Sequence, residues 1–179
     1  MITSIKVFKE VFKPYNLAGR QQELREQMYK TLGQEILNGD LKVEPWMIDL
    51  DPSRVKVRKI DGNLDCRFLG LTSLPVWFQS IKEVTGSFDC INNRLTSLEG
   101  GPQTVGRSFW CDNNRLTSLE GGPQTVGGSF WCYNNQLTSL EDLPKKIGRD
   151  VLCYNNAKQF SETDIPSTTK IGGKIKFKL

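Results

Sequence analysis

Histidine is absent from this sequence of 179 residues. Because histidine is the commonest general base near neutral pH, its absence excludes Ser-His and Cys-His nucleophile pairs and every His-ligated metal site. No stretch approaches the roughly 18 consecutive apolar residues that a transmembrane helix needs. The opening segment, Met1 to Lys6, also lacks the apolar core and small-residue cleavage site of a signal peptide. These absences predict a soluble cytoplasmic protein without a membrane contact.

A strong charge of either sign is lacking too. The chain has 24 Lys and Arg against 20 Asp and Glu, a net charge of +4, which is too small to indicate a polyanionic partner by itself. The positive excess lies at the two ends: residues 1–60 carry 11 basic and 8 acidic side chains, and residues 159–179 carry 4 and 2. Residues 61–158, with 9 basic and 10 acidic side chains, are close to neutral.

An internal repeat dominates the rest of the sequence. The segment Leu95-Thr96-Ser97-Leu98 recurs at residues 116–119 and 137–140, a period of 21, and an earlier copy lies at residues 71–74. A fixed period of this length indicates a solenoid of stacked units. The cysteines share that spacing: Cys66, Cys90, Cys111, Cys132 and Cys153. An aliphatic residue stands six positions before each of them: Ile60, Val84, Val105, Val126 and Ile147. Ile171 stands six before Phe177 and suggests a sixth, closing coil.

Each repeat contains one short stretch of alternating pattern. From Ser108 to Asp112 the alternation predicts a strand with Phe109 and Cys111 facing inward and Trp110 facing outward. One strand per repeat buries its inner face only if neighbouring coils stack in parallel, about 4.8 Å apart. The core is then a set of ladders, one of cysteines and one of larger apolar residues, namely Leu64, Phe88, Phe109, Phe130 and Val151.

Two further features follow from the same stacking. Asparagines recur at one position per coil, where an inward amide can bond backbone groups freed as the coil leaves its strand; they are Asn93, Asn114, Asn135 and Asn156. The segment 99–106 and its copy at 120–127 are too rich in Gly and Pro for a helix. We therefore expect an extended or irregular back to the solenoid.

The pattern Phe109-x-Cys111-x-x-Asn114-x-Leu116-x-x-Leu119 resembles the leucine-rich repeat signature, in its short bacterial and phage-type form of 21-residue repeats. The resemblance covers roughly two-thirds of the chain. It implies a leucine-rich repeat solenoid, α+β overall, with a parallel β-sheet on the concave face, an irregular convex side and a small helical N-terminal cap. It also implies that the concave face binds another macromolecule.

The two ends depart from the repeat. Residues 1–59 are predicted to form a helical or mixed cap before a solenoid of about six coils over 60–179, since an uncovered end would expose the core. The spacing predicts a short helix over residues 5–12 and a second one that starts at Asn16 and ends at Asn38-Gly39. Residues 174–179 alternate lysine with apolar residues, which predicts a closing edge strand protected from aggregation.

The cysteines are predicted to be reduced and buried. Stacked thiols lie close enough to pair, but their side chains point in parallel into a packed core, and five is an odd number. A zinc site needs four converging thiolates, which a ladder with this spacing does not supply.

The outward row is where we expect binding. The predicted register gathers aromatic and apolar side chains into one patch, and Trp and Tyr dominate binding hot spots. The alternatives are that the Trp pairs only stabilise the sheet, or that residues 1–59 cover them. The predicted partner-binding residues are Trp110, Trp131, Tyr133, Leu152, Tyr154, Asp89, Asp112 and Ile91. An acidic rim of Asp65, Asp89, Asp112 and Asp150 is predicted around them.

These features predict a protein–protein interaction module rather than an enzyme, since no motif selects a catalytic Lys, Asp, Glu, Ser or Tyr. No cofactor or metal is expected. One version is a phage protein that inhibits a host defence or replication protein. Alternatives are single-stranded nucleic-acid binding, because aromatic rows stack bases, and a structural role in a virion or a homo-oligomer.

Overall fold

The computed structural model describes residues 17–178 and shows a β-solenoid of about six turns. The strands lie in pairs, and we call each pair, such as Lys59–Asp61 and Leu64–Asp65, a rung. Each rung contributes one short strand to each of two seven-stranded parallel sheets. Sheet 1 comprises β1 (Ile36–Asn38), β3 (Lys59–Asp61), β5 (Glu83–Val84), β7 (Thr104–Val105), β9 (Thr125–Val126), β11 (Lys146–Ile147) and β13 (Lys170–Ile171). Sheet 2 comprises β2 (Leu41–Lys42), β4 (Leu64–Asp65), β6 (Phe88–Asp89), β8 (Phe109–Trp110), β10 (Phe130–Trp131), β12 (Val151–Leu152) and β14 (Ile175–Lys176).

The predicted core ladders are confirmed by the register of sheet 2. Phe109 pairs with Phe88 on one side and Phe130 on the other, and all three rings are at most 1 % exposed. The rings of Phe109 and Phe130 stack with centroids 5.3 Å apart and planes at 7°. Repeating residues therefore lie directly above one another through the middle of the solenoid.

The cysteine ladder is also confirmed. All five cysteines are free and buried. The Cys111 thiol donates to the backbone oxygen of Trp131 at 3.3 Å. Burial raises the pKa of Cys90, Cys111 and Cys132 well above the usual value. The thiols therefore stay protonated at neutral pH and act as small core residues.

The asparagine column has the predicted role. Asn114 Oδ1 accepts from the Leu95 N–H at 3.0 Å, and Asn114 Nδ2 donates to the Cys90 and Cys111 carbonyl oxygens at 3.0 and 3.1 Å. Asn135 repeats these contacts one coil later. Each side chain therefore links its own coil to the preceding one at the point where the chain leaves sheet 2.

The back of the solenoid, which the sequence predicts to be extended or irregular, contains the regular extended strands of sheet 1. The aliphatic residues six before each cysteine form its strands, and Val105 pairs with Val84 and Val126 while being fully buried. Its strands of two residues give no alternation in the sequence, which is why the Gly-rich segment predicted no regular structure. The solenoid consequently has two parallel sheets that enclose the core.

The first rung lies inside the segment predicted as a cap. Ile36–Asn38 pairs with Lys59–Asp61, and Leu41 pairs with Leu64. The predicted boundary at residue 60 therefore falls too late. Val43 takes the position that cysteine holds in the next coil, with its N–H bonded to the Asp65 carbonyl at 2.8 Å, so the rung carries no cysteine to mark it.

Within the described residues, the α-helix α1 (Leu17–Leu32) precedes the first rung. It ends earlier than predicted, because the Leu32 carbonyl accepts from the backbone N–H groups of Lys56 and Val57, and the chain then enters β1. The predicted helix over residues 5–12 and the predicted cap Asn16 lie outside the described residues. Short 3₁₀ turns occur at Pro45–Met47, Pro52–Arg54, Val76–Ser80 and Glu162–Asp164.

Candidate functional site

The outer surface of sheet 2 carries the predicted aromatic row. Register places Trp110 beside Trp131 and Trp131 beside Leu152. Because side chains alternate along each strand, the neighbours Phe109 and Phe130 point into the core while the tryptophans face outward. We call the half-buried set Trp110, Trp131, Tyr133, Leu152 and Tyr154 the aromatic face.

The rings of the aromatic face are in contact with one another. Trp110 and Trp131 have ring centroids 5.7 Å apart, and Trp131 and Tyr133 have centroids 6.3 Å apart. Tyr133 and Tyr154 stack at 4.7 Å with planes at 15°. The four rings therefore form one continuous line over three coils, and the predicted patch is present. None of the described cap residues has a ring contact with it.

Two of the four carboxylates predicted to form an acidic rim are buried, so the rim is not exposed at these two positions. Asp89 is 5 % exposed and Asp112 is 2 % exposed. Burial raises the pKa of each carboxyl group. Asp65 and Asp150 remain half-buried, and Ile91 lies half-buried beside Asp89, whose Oδ1 accepts from the Ile91 N–H at 3.2 Å.

The two buried carboxylates differ in their partners. Arg67 lies 3.3 Å from Asp89 and 3.1 Å from Asp65, so one guanidinium group balances both. Asp112 has no ion pair within residues 17–178; its Oδ2 accepts from Asn113 Nδ2 at 2.7 Å. No cation among the described residues therefore balances the Asp112 carboxyl group.

Polar atoms under the rings are incompletely satisfied. Within the described part of the chain, the indole Nε1 atoms of Trp110 and Trp131 and Asp112 Oδ1 are buried without a hydrogen-bond partner. Burial, together with interaction with the Asp112 carboxylate, raises the pKa of Tyr133 to about 12. Packing between rings, rather than hydrogen bonding, therefore positions the tryptophans.

Phe68 is an exposed aromatic residue that sequence reasoning missed. Its side chain is 68 % exposed and its φ is +59°, in the left-handed region that bulky side chains avoid. It borders a cleft of about 320 Å³ at the N-terminal end of sheet 2. The signal was available in the repeat, because the equivalent position in the following coils is always asparagine: Asn92, Asn113, Asn134 and Asn155.

Replacing Phe68 with asparagine is expected to raise the free energy of unfolding by about 1 kcal/mol, because asparagine tolerates the left-handed backbone. Urea denaturation measures the change as a higher midpoint at an unchanged slope. Phe68→Ala removes the ring but retains the strain, so it is the matched control and should leave stability nearly unchanged. A loss of stability in both variants would contradict this account, since it would show that the ring stabilises the fold.

The comparisons with known proteins add no functional assignment. The chain matches no protein-family model, and no curated protein is significantly similar to it in sequence. Within residues 17–178, no helix is long and apolar enough to cross a bilayer, and no three Cys, Asp or Glu side chains are grouped as metal ligands.

Proposed function

We propose that this protein is a binding module and that the aromatic face holds a protein partner. The observation that carries the proposal is the continuous line of four rings, from Trp110 to Tyr154, on the outside of a hydrogen-bonded sheet. In this proposal the outer surface of sheet 2 is the concave ligand-binding face that the resemblance to leucine-rich repeats implies. A phage protein that occupies a host protein is one form such a module takes.

The ring arrangement suits a protein contact energetically. Aromatic side chains lose little conformational entropy on binding, and here neighbouring rings already restrict them. The strands beneath are fixed by regular backbone bonds, such as the Cys111 N–H to the Trp131 carbonyl at 2.9 Å. A preorganised apolar surface of this kind binds with a small ordering cost.

The charge around the rings favours a protein over a nucleic acid. Asp112 lies beneath the rings without a compensating cation among the described residues, and Asp89 and Asp65 share one arginine. Nucleic-acid binding surfaces pair aromatic stacking with a basic groove that neutralises phosphates. The carboxyl groups of Asp89 and Asp112 beside the rings offer no such cation to a phosphate backbone.

A capture experiment tests the proposal. Immobilised wild-type protein and Trp110→Ala/Trp131→Ala are exposed to bacterial lysate, with and without nuclease. We expect a specific protein to bind the wild type, to resist nuclease and to be reduced at least about tenfold on the double variant, as expected for hot-spot residues. The matched control is Ile36→Ala/Val76→Ala, which removes side chains that are 48 % and 58 % exposed elsewhere on the molecule.

Near-UV circular dichroism of each variant first establishes that it is folded. Equal capture by wild type and the tryptophan double variant would overturn the aromatic face as the binding site. Loss of capture on nuclease treatment would instead identify the bound species as nucleic acid, and binding should then fall steeply with rising salt.

A further inference from the structure

The last rung leaves one side of β13 and one side of β14 unpaired within residues 17–178, because these strands end sheet 1 and sheet 2. One coil earlier, the Cys153 N–H donates to the Lys176 carbonyl oxygen at 3.1 Å. Phe177 is the equivalent residue of the last rung, and no described strand follows to accept its N–H. The edge of β14 therefore presents backbone groups that a further strand can bond in the register of the sheet.

The core is also incompletely covered at this end. Three apolar side chains of the last rung are only half-buried against it: Ile171, Ile175 and Phe177. One coil earlier, Ile147 and Val151 are at most 1 % exposed. In the first rung, Leu41 and Val43 are at most 2 % exposed. The described residues therefore cover the N-terminal end of the core and leave its C-terminal end partly open.

Exposed lysines line this open end, and none of them has an ion pair among the described residues: Lys170, Lys174, Lys176 and Lys178. Along β14 and its flanks, lysines alternate with the half-buried Ile175 and Phe177, so they face outward. Asp150, in the preceding coil, bonds the Lys174 backbone N–H at 2.7 Å rather than its ammonium group. The end thus combines open backbone groups, apolar side chains and unpaired positive charge.

We propose that the open edge of β14 binds an acidic, extended segment of a protein partner, which adds a strand to sheet 2 parallel to β14. Carbonyl oxygens of the added strand accept from the Ile175 and Phe177 N–H groups. Its alternate side chains are apolar, covering the end of the core, and acidic, lying beside the lysines. The matching pattern is Glu-Val-Glu-Val-Glu. Because this edge is separate from the aromatic face, the inference goes beyond the proposed function.

The lysines oppose a second copy of this chain at the same edge, since pairing β14 with β14 brings lysines against lysines. A nucleic acid could neutralise the lysines through its phosphates, but it lacks the regularly spaced carbonyl groups and aliphatic side chains that the rest of the edge fits. Opposite charge together with strand pairing therefore favours an acidic peptide segment.

Fluorescence anisotropy with the full chain and a labelled Glu-Val-Glu-Val-Glu peptide tests the inference. We expect saturable binding with a Kd of about 10 to 500 μM, as for a small contact. Lys176→Glu/Lys178→Glu should weaken binding at least about tenfold. The matched control is Lys56→Glu/Arg58→Glu, which makes the same change in net charge at exposed positions before β3 and should leave binding unchanged. Trp110→Ala/Trp131→Ala should also bind like the wild type.

A second peptide tests the strand pairing itself. Methylation of the backbone nitrogen of the central Glu removes the N–H that donates to the Ile175 carbonyl but keeps every charge, and it should weaken binding at least about tenfold. Equal binding of the methylated peptide, or of pentaglutamate, would overturn strand addition, since attraction between charges would then suffice.

Three further outcomes would overturn the inference. The first is no binding of the Glu-Val peptide by the wild-type chain. The second is binding that the tryptophan double variant loses, because the peptide would then occupy the aromatic face. The third is tighter binding of single-stranded oligothymidylate that Lys176→Glu/Lys178→Glu abolishes, which would identify nucleic acid as the occupant of this end. None of the three decides whether the aromatic face captures a protein, so the proposed function is tested separately.

Discussion

Replacing Asn114 with alanine is expected to lower the free energy of unfolding by about 3 kcal/mol, among the largest effects of any single side-chain truncation in this protein. Asn114 is 9 % exposed and makes four hydrogen bonds to the backbone, one through Oδ1 and three through Nδ2. In the alanine variant the buried Leu95 N–H loses its hydrogen bond to Asn114 Oδ1. Urea denaturation followed by circular dichroism measures the change.

Most of the lost stability comes from the unpaired Leu95 N–H, because each carbonyl that bonds Asn114 also accepts a hydrogen bond from a second asparagine. The Cys90 oxygen also accepts from Asn93 Nδ2 at 3.0 Å, and the Cys111 oxygen also accepts from Asn135 Nδ2 at 3.0 Å. Each carbonyl therefore retains one amide partner in Asn114→Ala. A buried donor left unpaired costs about 1 to 3 kcal/mol, and the lost bonds and cavity add to it.

Two companion variants isolate the amide. Asn155→Gly removes an exposed asparagine with φ +51° and its one side-chain hydrogen bond, to Asn134 at 3.0 Å. This variant should change the free energy of unfolding by less than about 1 kcal/mol.

Asn114→Asp keeps the oxygen that accepts from the Leu95 N–H, but it replaces the NH₂ group that donates to the two carbonyls with a second oxygen. Burial would raise the pKa of that carboxyl in the folded state, so its deficit against wild type should shrink as pH falls toward about 4.

Similar losses in Asn114→Ala and Asn155→Gly would contradict the role of the buried column. They would show that the solenoid is held by its apolar ladders and strand pairing, with the asparagine side chains replaceable by small residues at any position.

Stacking could be predicted from the sequence because the period of 21 identifies the residues that lie above one another. Phe109 and Phe130 share a position in the repeat, so their contact follows from the spacing alone. Sheet 1 could not be predicted in the same way, because its two-residue strands, such as Thr104–Val105, show no alternation. The first rung was missed because Leu41 and Val43 belong to no recognisable copy of the repeat.

The aromatic face followed from the alternation around each cysteine, whereas the burial of the acidic side chains did not. Asp112 alternates outward with Trp110, and alternation predicts exposure for both. Asp112 nevertheless becomes buried, since its neighbour in the next coil is Tyr133, a large side chain that also interacts with it. Side-chain size in adjacent coils therefore decides exposure on this surface.

Replacing Gly127 with alanine is expected to lower the free energy of unfolding by at least about 3 kcal/mol or to prevent folding. A Cβ at this position would lie 2.1 Å from the Gly106 carbonyl oxygen, far inside van der Waals contact. The obstacle is backbone, so no side-chain rotation relieves it. Gly148 repeats the arrangement, with a Cβ 2.1 Å from the Gly127 oxygen.

The same substitution at the end of the stack tests whether coil spacing is the cause. Gly172 lies in the last rung, and its Cβ would meet the Gly148 oxygen at 2.4 Å. Because no described coil follows it, that rung can move outward, and Gly172→Ala should cost much less than Gly127→Ala. If Gly127→Ala has the same melting temperature as the wild type, the coils can move apart at little cost. That result would contradict the close stacking on which both sheets depend.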